Sequence, residues 1–116
     1  MVKVLILEDS GFMRKILKKI VMKIKPDAVI IEASDAKTAV DKYNKEKPDL
    51  VLLDIILPGK DGVSALAQMK GATAIMITAI GQEASIKEAK KLGAKEYIVK
   101  PFDNAKVEAA IRKYLK

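Results

Sequence analysis

An apolar segment in the middle of the chain ends in a single carboxylate and a turn. Residues 50–53 are Leu-Val-Leu-Leu, Asp54 follows them directly, and Pro58-Gly59 marks a turn. An uninterrupted apolar run is typical of a strand that helices cover on both faces, as in a parallel sheet. Ligands of such sheets bind beyond the carboxyl ends of the strands, so Asp54 is a candidate for chemistry. Asp is also a common turn residue, and this segment alone leaves both interpretations open.

The composition limits the chemistry that the chain can carry. A length of 116 residues, 50% of them hydrophobic, predicts one domain over residues 1–116 with a core of its own. The absence of Cys and His excludes disulfides, thiolate nucleophiles, histidine-dependent triads and histidine metal sites. No apolar run reaches the roughly 20 residues of a membrane span, and residues 2–7 are too short for a signal peptide. We therefore expect a cytoplasmic protein without membrane insertion.

The net charge of +7 raises the question of nucleic-acid binding. Lysines are distributed along the chain among Glu and Asp, and no basic run is interleaved with aromatic residues, which make up 4% of the chain. The charge therefore indicates a solvated, lysine-rich surface, and direct nucleic-acid binding is not expected.

Five short apolar segments alternate with five segments of helical pattern. Strands are predicted over residues 2–7, 28–33, 50–53, 73–77 and 95–99. Helices are predicted to begin at Asp9 or Ser10, at Ser34 or Asp35, at Gly62, near Gln82 and at Asp103. The alternation predicts an α/β fold: a (βα)5 doubly wound, three-layer sandwich around a five-stranded parallel sheet in the order 2-1-3-4-5, a flavodoxin-like arrangement. Core positions include the apolar residues of the first helix, Phe12 among them, and Met13, Met22, Met69 and Met76.

Polar side chains stand where four of the predicted strands end. Glu8 and Asp9 follow the first strand, Asp54 the third, Thr78 the fourth and Lys100 the fifth. Right-handed crossovers place these loops at one edge of the sheet, so we expect the side chains to converge. Clustered carboxylates require a cation, and an oxygen-only set of ligands suits Mg²⁺ together with phosphate oxygens. A lysine and a hydroxyl are then available to a phosphoryl group, which makes Asp54 a candidate nucleophile that forms an acyl phosphate.

Taken together, these residues resemble the signature of the response-regulator receiver domain. The resemblance rests on Glu8-Asp9, on Asp54 with Leu57-Pro58 and Asp61-Gly62, on Thr78-Ala79 and on Lys100-Pro101-Phe102, which together span most of the chain. Residues 10–14 and 79–83 are further similar to the single-domain chemotaxis response regulators.

The resemblance implies a stand-alone two-component response regulator in which Asp54 accepts a phosphoryl group from a sensor histidine kinase or a small phosphodonor. It implies that Asp9 and Asp54 bind Mg²⁺ directly, that Glu8 reaches the ion through water, and that the backbone carbonyl of Ile56 is a further ligand. The protein would catalyse its own phosphotransfer and dephosphorylation but would not be an enzyme with a separate substrate.

The same resemblance implies a switch. Lys100 would pair with the phosphoryl oxygens, and its peptide bond to Pro101 would be cis. Thr78 would move to the phosphoryl group, and Tyr97 would rotate inward as the switch aromatic. Helix 4, strand 5 and helix 5 would then bind a downstream protein target, because no effector domain follows Lys116. The regulator would be a monomer or a weak, phosphorylation-linked dimer, and chemotaxis is the expected process.

The sequence departs from the family pattern in three places. Fifteen residues separate Gly62 from Thr78, which predicts a shortened third helix or exit loop. Ile56 and Ile80 stand where polar residues are common in the chemotaxis proteins, and we expect slower dephosphorylation because water is held less easily there. Glu8 replaces the more frequent Asp.

Other functions stay open at this point. A phosphorelay intermediate of the sporulation type has the same site residues. An aspartate-nucleophile phosphatase requires a second acid two residues after Asp54, where Ile56 stands. A flavodoxin-like nucleotide binder requires a Gly-rich loop after the first strand, and residues 8–11 do not provide one. A scaffold that is never phosphorylated is the last alternative.

Overall fold

The computed structural model describes residues 1–57 and 62–115. Its elements, in chain order, are β1 (Lys3–Leu7), α1 (Gly11–Ile24), β2 (Val29–Ala33), α2 (Ala36–Glu46), β3 (Leu50–Leu53), α3 (Gly62–Gln68), β4 (Ala74–Thr78), α4 (Glu83–Lys91), β5 (Ala94–Val99) and α5 (Asn104–Tyr114). The strands form one parallel sheet in the order β2-β1-β3-β4-β5, which confirms the predicted fold.

The register of the central strands determines where the polar residues emerge. Leu7, the last residue of β1, pairs with Ala33 on β2 and with Leu53 on β3. The ladder continues one step beyond the strands, since the Glu8 amide donates to the carbonyl of Ala33 at 3.1 Å and the Asp54 amide to that of Leu7 at 3.0 Å. Glu8 and Asp54 are therefore neighbours at the carboxyl edge, the sheet edge at which the strands end.

The core has two layers because successive strand residues point to opposite faces of the sheet. On one face, Leu5, Leu7 and Val51 pack with α2, α3 and α4. On the other, Val4 and Ile6 pack with α1 and α5. Burial of both faces explains why β3, at the centre of the sheet, consists of apolar residues alone.

Side-chain caps begin three of the helices. Ser10 accepts a hydrogen bond from the Met13 amide, Asp35 from the Thr38 amide, and Asp103 from the Ala105 amide. Ser10 and Asp35 are therefore the caps of α1 and α2, and Asp9 and Ser34 are not.

Two predicted core residues are in fact exposed. Phe12 has 75% of its surface exposed and Met22 has 41%, so both predictions were wrong. Phe12 lies in the first turn of α1 on the side that faces solvent, whereas the next residue, Met13, packs against the core. Met22 is about 100° around the helix from the buried Val21. Met69 and Met76 are buried, as predicted.

The predicted strand over residues 50–53 and the start of the third helix at Gly62 match the structure, and the other predicted bounds differ by one or two residues, the usual uncertainty at helix and strand ends. The third helix, α3, has seven residues and is shorter than the other four helices described. The predicted turn at Pro58-Gly59 and the motif residue Asp61 lie outside the described residues. Within the described ranges, no helix is both long enough and apolar enough to cross a membrane.

Candidate functional site

The structure brings the five predicted polar residues together at the carboxyl edge. Three of them, Glu8, Asp54 and Thr78, are 3%, 4% and 0% exposed, and they are the buried polar or charged residues found within the described ranges. Burial of a charged group is costly unless the group is paired. The only such groups in the described core thus lie at the predicted site, which indicates a functional reason for their burial.

Lys100 connects the two buried carboxylates. Its Nζ donates to Glu8 Oε1 at 2.5 Å and to Asp54 Oδ2 at 2.8 Å. Burial alone lowers the pKa of Lys100, but the hydrogen bonds and charges of Asp54 and Glu8 raise the pKa above its ordinary value. Burial raises the pKa of the Glu8 carboxyl, and its bonds to Lys100 and the Ser10 amide only partly oppose that effect. The pKa values of both groups are therefore raised, that of Glu8 by burial and that of Lys100 by the two carboxylates beside it.

The carboxylates of Glu8, Asp9 and Asp54 form a cluster that could hold a metal ion. Each offers one oxygen, and these oxygens lie within 4.8 Å of one another. Glu8 and Asp54 are buried, whereas Asp9 is exposed and gives solvent access to one side of the cluster. Such an all-oxygen set with room for water fits Mg²⁺, which keeps several waters in most protein sites.

Both oxygens of the Asp54 carboxylate have partners. Oδ2 accepts from Lys100, and Oδ1 accepts from the backbone amide of Ile56 at 3.1 Å. Ile56, whose carbonyl the resemblance implies as a metal ligand, has 53% of its surface exposed. The carboxylate is therefore held in one orientation next to a solvent-facing apolar side chain.

Thr78 and Tyr97 meet at the loop that follows β4. The Thr78 hydroxyl oxygen accepts from the Ile80 amide at 3.4 Å, and the Tyr97 hydroxyl donates to the Ile80 carbonyl at 2.6 Å. Burial, and to a lesser degree the charge of Asp54, raises the pKa of Tyr97. The Lys100-Pro101 peptide is cis, as the resemblance implies.

The model of the response regulator receiver domain family matches residues 4–112. The chain belongs to this family. It is 44% identical over 120 aligned positions to the chemotaxis protein CheY of Listeria monocytogenes, with 100% of each chain covered. It is 38% identical over 117 positions to sporulation initiation phosphotransferase F of Bacillus subtilis, with 97% of this chain and 93% of the relative covered. The CheX-CheY-BeF3-Mg²⁺ complex from Borrelia burgdorferi contains a similar fold, with a TM-score of 0.87 and 37% identity over 99% of this chain and 90% of that one.

Two residues of this receiver contact the acidic site without having been assigned a role from the sequence. Gly62 packs directly beneath Asp54, because a Cβ on this glycine would lie 1.8 Å from the Asp54 carbonyl oxygen. Arg14 donates to the backbone carbonyls of Glu8 and Asp9. An arginine five residues after the second of two consecutive carboxylates, in the first turn of the helix that follows them, is the sequence signal that could have identified the second contact.

Proposed function

We propose that this receiver is a phosphorylation-dependent response regulator whose Asp54 accepts a phosphoryl group. The observation that carries the proposal is the buried carboxylate of Asp54, held 2.8 Å from the ammonium of Lys100 within a cluster of three carboxylates. A carboxylate in this setting is a nucleophile, the lysine is a partner for phosphoryl oxygens, and the cluster is a cation site. The membership of the chain in the receiver family supports the same assignment.

The transfer would form one bond and break another. An oxygen of the Asp54 carboxylate attacks phosphorus, and the phosphorus–nitrogen bond of a phosphohistidine on a sensor kinase breaks. The bonding pair leaves with the imidazole nitrogen, which takes up a proton from solvent. With a small acyl phosphate as donor, the bond that breaks is phosphorus–oxygen. The product in either case is an acyl phosphate on Asp54.

Glu8, Asp9 and Asp54 would hold Mg²⁺, with the backbone carbonyl of Ile56 as a further ligand. The ion supplies positive charge that neutralises phosphoryl oxygens during transfer. Lys100 is bonded to two carboxylates in this structure. Once those carboxylates share a cation, its ammonium is free to pair with the phosphoryl group.

The loop after β4 would transmit the change. Thr78 is buried beside the site, and Ile80 is bonded to both Thr78 and Tyr97. If the Thr78 hydroxyl donates to the phosphoryl group, Ile80 shifts and the position of Tyr97 changes with it. We infer that α4, β5 and α5 form the face that then binds a downstream protein target. The regulator would work in the cytoplasm, as a monomer or a weak phosphorylation-linked dimer, and would dephosphorylate itself.

Chemotaxis is the process we propose, since the chain is 44% identical over its whole length to a chemotaxis protein CheY. A role as a phosphorelay intermediate is the second candidate. It is supported by the 38% identity to sporulation initiation phosphotransferase F, which is the lower of the two values.

Intact mass tests the proposed phosphorylation. The purified protein is exposed to a small acyl phosphodonor with and without Mg²⁺, beside Asp54→Asn and, as a matched control, Asp41→Asn, which changes an exposed acid on α2. We expect one added phosphoryl group in the wild type and in Asp41→Asn, dependent on Mg²⁺, and none in Asp54→Asn. An adduct that persists in Asp54→Asn, or none in a wild type that binds Mg²⁺, would contradict the proposal.

A further inference from the structure

Arg14 lies at the end of the first turn of α1 and reaches back over the acidic loop, residues 8–10 between β1 and α1. One terminal guanidinium nitrogen donates to the backbone carbonyl of Glu8 at 2.7 Å and to that of Asp9 at 3.2 Å. Its Nε donates to Glu32 Oε1 on β2 at 3.2 Å. The Arg14 side chain is 23% exposed. A single side chain thus joins the backbone of two acidic residues to the neighbouring strand.

Arg14 and Lys100 bond to different kinds of acceptor at the site. Lys100 bonds to the carboxylates of Glu8 and Asp54, so it competes with any metal ion for their oxygens. Arg14 bonds to backbone carbonyls, and the carboxylates of the acidic loop stay available as ligands. Its contact can therefore persist when a metal ion is bound.

We propose that Arg14 is a positioning residue that holds the acidic loop in the conformation that binds Mg²⁺. This inference rests on the proposed function of the Asp54 site. The guanidinium is suited to the role because its donors are fixed in a planar fork, so that it can bond to the loop and to Glu32 at once. Groups that orient metal ligands commonly change metal affinity by about 10- to 100-fold when they are lost.

The sign of the effect distinguishes positioning from simple charge. Removal of a cation next to an acidic cluster, with the loop unchanged, reduces the repulsion of Mg²⁺ and makes binding tighter. Removal of a positioning contact frees the backbone of the loop and makes binding weaker. The two roles of Arg14 therefore predict changes of opposite direction in the Mg²⁺ dissociation constant.

Isothermal titration calorimetry with Mg²⁺ alone measures this constant in the full chain. The variants are Arg14→Gln, Arg14→Lys and, as a matched control, Lys15→Gln, which removes one positive charge from an exposed position on the same helix. We expect about tenfold weaker binding for Arg14→Gln. Arg14→Lys retains the charge but not the fork, so it should also bind more weakly than the wild type. Lys15→Gln should bind as tightly as the wild type or slightly more tightly.

A second substitution tests the anchor on β2. Glu32→Ala removes the oxygen that accepts from Arg14 Nε, so it should weaken Mg²⁺ binding when Arg14 is present and should have no further effect in an Arg14→Gln background. An effect of equal size in both backgrounds would show that Glu32 acts through its charge and not through Arg14, and would overturn the proposed connection.

The possible results separate this inference from the proposed function. If the wild type binds Mg²⁺ and folded Arg14→Gln binds it equally or more tightly, the positioning role is wrong and the proposed function stands. If the wild type binds no Mg²⁺, both fail. If circular dichroism shows that Arg14→Gln does not fold, Arg14→Lys decides, and wild-type affinity in that variant overturns the inference.

Discussion

The hydroxyl of Tyr97 lies 2.6 Å from the backbone carbonyl of Ile80 and joins β5 to the loop that follows β4. The amide of the same Ile80 donates to the hydroxyl oxygen of Thr78. The side chains of Thr78 and Tyr97, the two residues proposed for the switch, are therefore bonded to the amide and the carbonyl of Ile80. If Thr78 moves toward a phosphoryl group, the Ile80 amide loses its acceptor. Ile80 can then shift, and the hydrogen bond between its carbonyl and Tyr97 changes with it.

Replacement of Tyr97 by Phe should destabilise the protein by about 1 kcal/mol, the usual net value of a hydrogen bond whose partner is left in a partly buried position. The substitution removes the donor to the Ile80 carbonyl and keeps the ring in place. Urea unfolding followed by circular dichroism measures the change in the free energy of unfolding.

Tyr43 provides the matched control for that substitution. Its hydroxyl also donates to a backbone carbonyl, that of Lys70 at 3.1 Å, but this bond is exposed, whereas the one from Tyr97 is partly buried. Water can replace an exposed donor, so Tyr43→Phe should have a smaller effect. Equal losses in the two variants would show that the Tyr97 contact is no stronger than an ordinary surface hydrogen bond.

Gly62→Ala should destabilise the protein and displace the backbone of Asp54. The added Cβ would lie 1.8 Å from the Asp54 carbonyl oxygen and 2.9 Å from the Ile55 Cα, and both are backbone atoms that cannot rotate away. We expect a loss of about 1 to 3 kcal/mol in the free energy of unfolding, the usual cost of overpacking. Phosphorylation of Asp54 by a small donor should be slower as well, because the carboxylate moves with its backbone.

Gly11→Ala is the control for this prediction. The nearest atom to a Cβ at Gly11 is a terminal nitrogen of Arg14 at 3.5 Å, an ordinary contact, and Gly11 is already helical. Alanine there should leave the protein unchanged or stabilise it by about 0.5 kcal/mol. A wild-type free energy of unfolding in Gly62→Ala would contradict the close packing between residues 62 and 54.

The fold and the convergence of the polar residues could be predicted because both follow from rules of chain direction. Apolar strands that alternate with helices require a parallel sheet, and right-handed crossovers bring the ends of its strands to one edge. Asp54 and Lys100, which are 46 residues apart, are thereby within reach of each other. Chain direction alone therefore predicts that these two side chains meet.

Contacts that depend on a particular side-chain direction could not be predicted in this way. Arg14 and Phe12 are both in the first turn of α1, yet one reaches back to the acidic loop and the other is 75% exposed. Helical spacing does not distinguish these outcomes, because it does not show which side of the first turn faces the core and which faces the loop. The close approach of Gly62 to Asp54 likewise depends on the path of the chain between them.

The cap of α2 should make stability depend on pH. The Asp35 carboxylate accepts hydrogen bonds from the Thr38 amide at 2.8 Å and from the Thr38 hydroxyl at 3.0 Å, and these bonds hold the pKa of Asp35 below its ordinary value of 3.8. A carboxyl with a lower pKa in the folded protein stabilises it above the unfolded pKa, and this contribution is lost as the pH falls through the folded pKa.

Asp35→Asn retains an oxygen that can accept from the Thr38 amide but has no proton to exchange. The difference in urea midpoint between wild type and Asp35→Asn should therefore be largest near neutral pH and should decrease as the pH falls below 3.8. Thr38→Val removes the hydroxyl donor and should reduce this dependence on pH. A midpoint difference that stays constant into the acid range would show that the charge of Asp35 contributes nothing to the cap.

Ile56 and Ile80 should slow the loss of a phosphoryl group from Asp54. Ile56 is 53% exposed two residues after Asp54, and Ile80 is half-buried two residues after Thr78. Hydrolysis of an acyl phosphate requires a water molecule in line with the bond that breaks, and an apolar side chain offers that water no hydrogen bond. Ile56→Asn and Ile80→Glu should each accelerate dephosphorylation several-fold, measured as the decay of the phosphorylated mass after the donor is removed.

Leu92→Asn separates this local effect from a general change in surface polarity. Leu92 is 40% exposed and follows the last turn of α4, at the sheet edge opposite Asp54. The substitution therefore replaces an apolar side chain by a polar one far from the phosphoryl group. Its decay rate should equal that of the wild type. If Ile56→Asn and Ile80→Glu also decay at the wild-type rate, water at this site is held by other groups, and the two isoleucines do not determine the lifetime of the phosphorylated state.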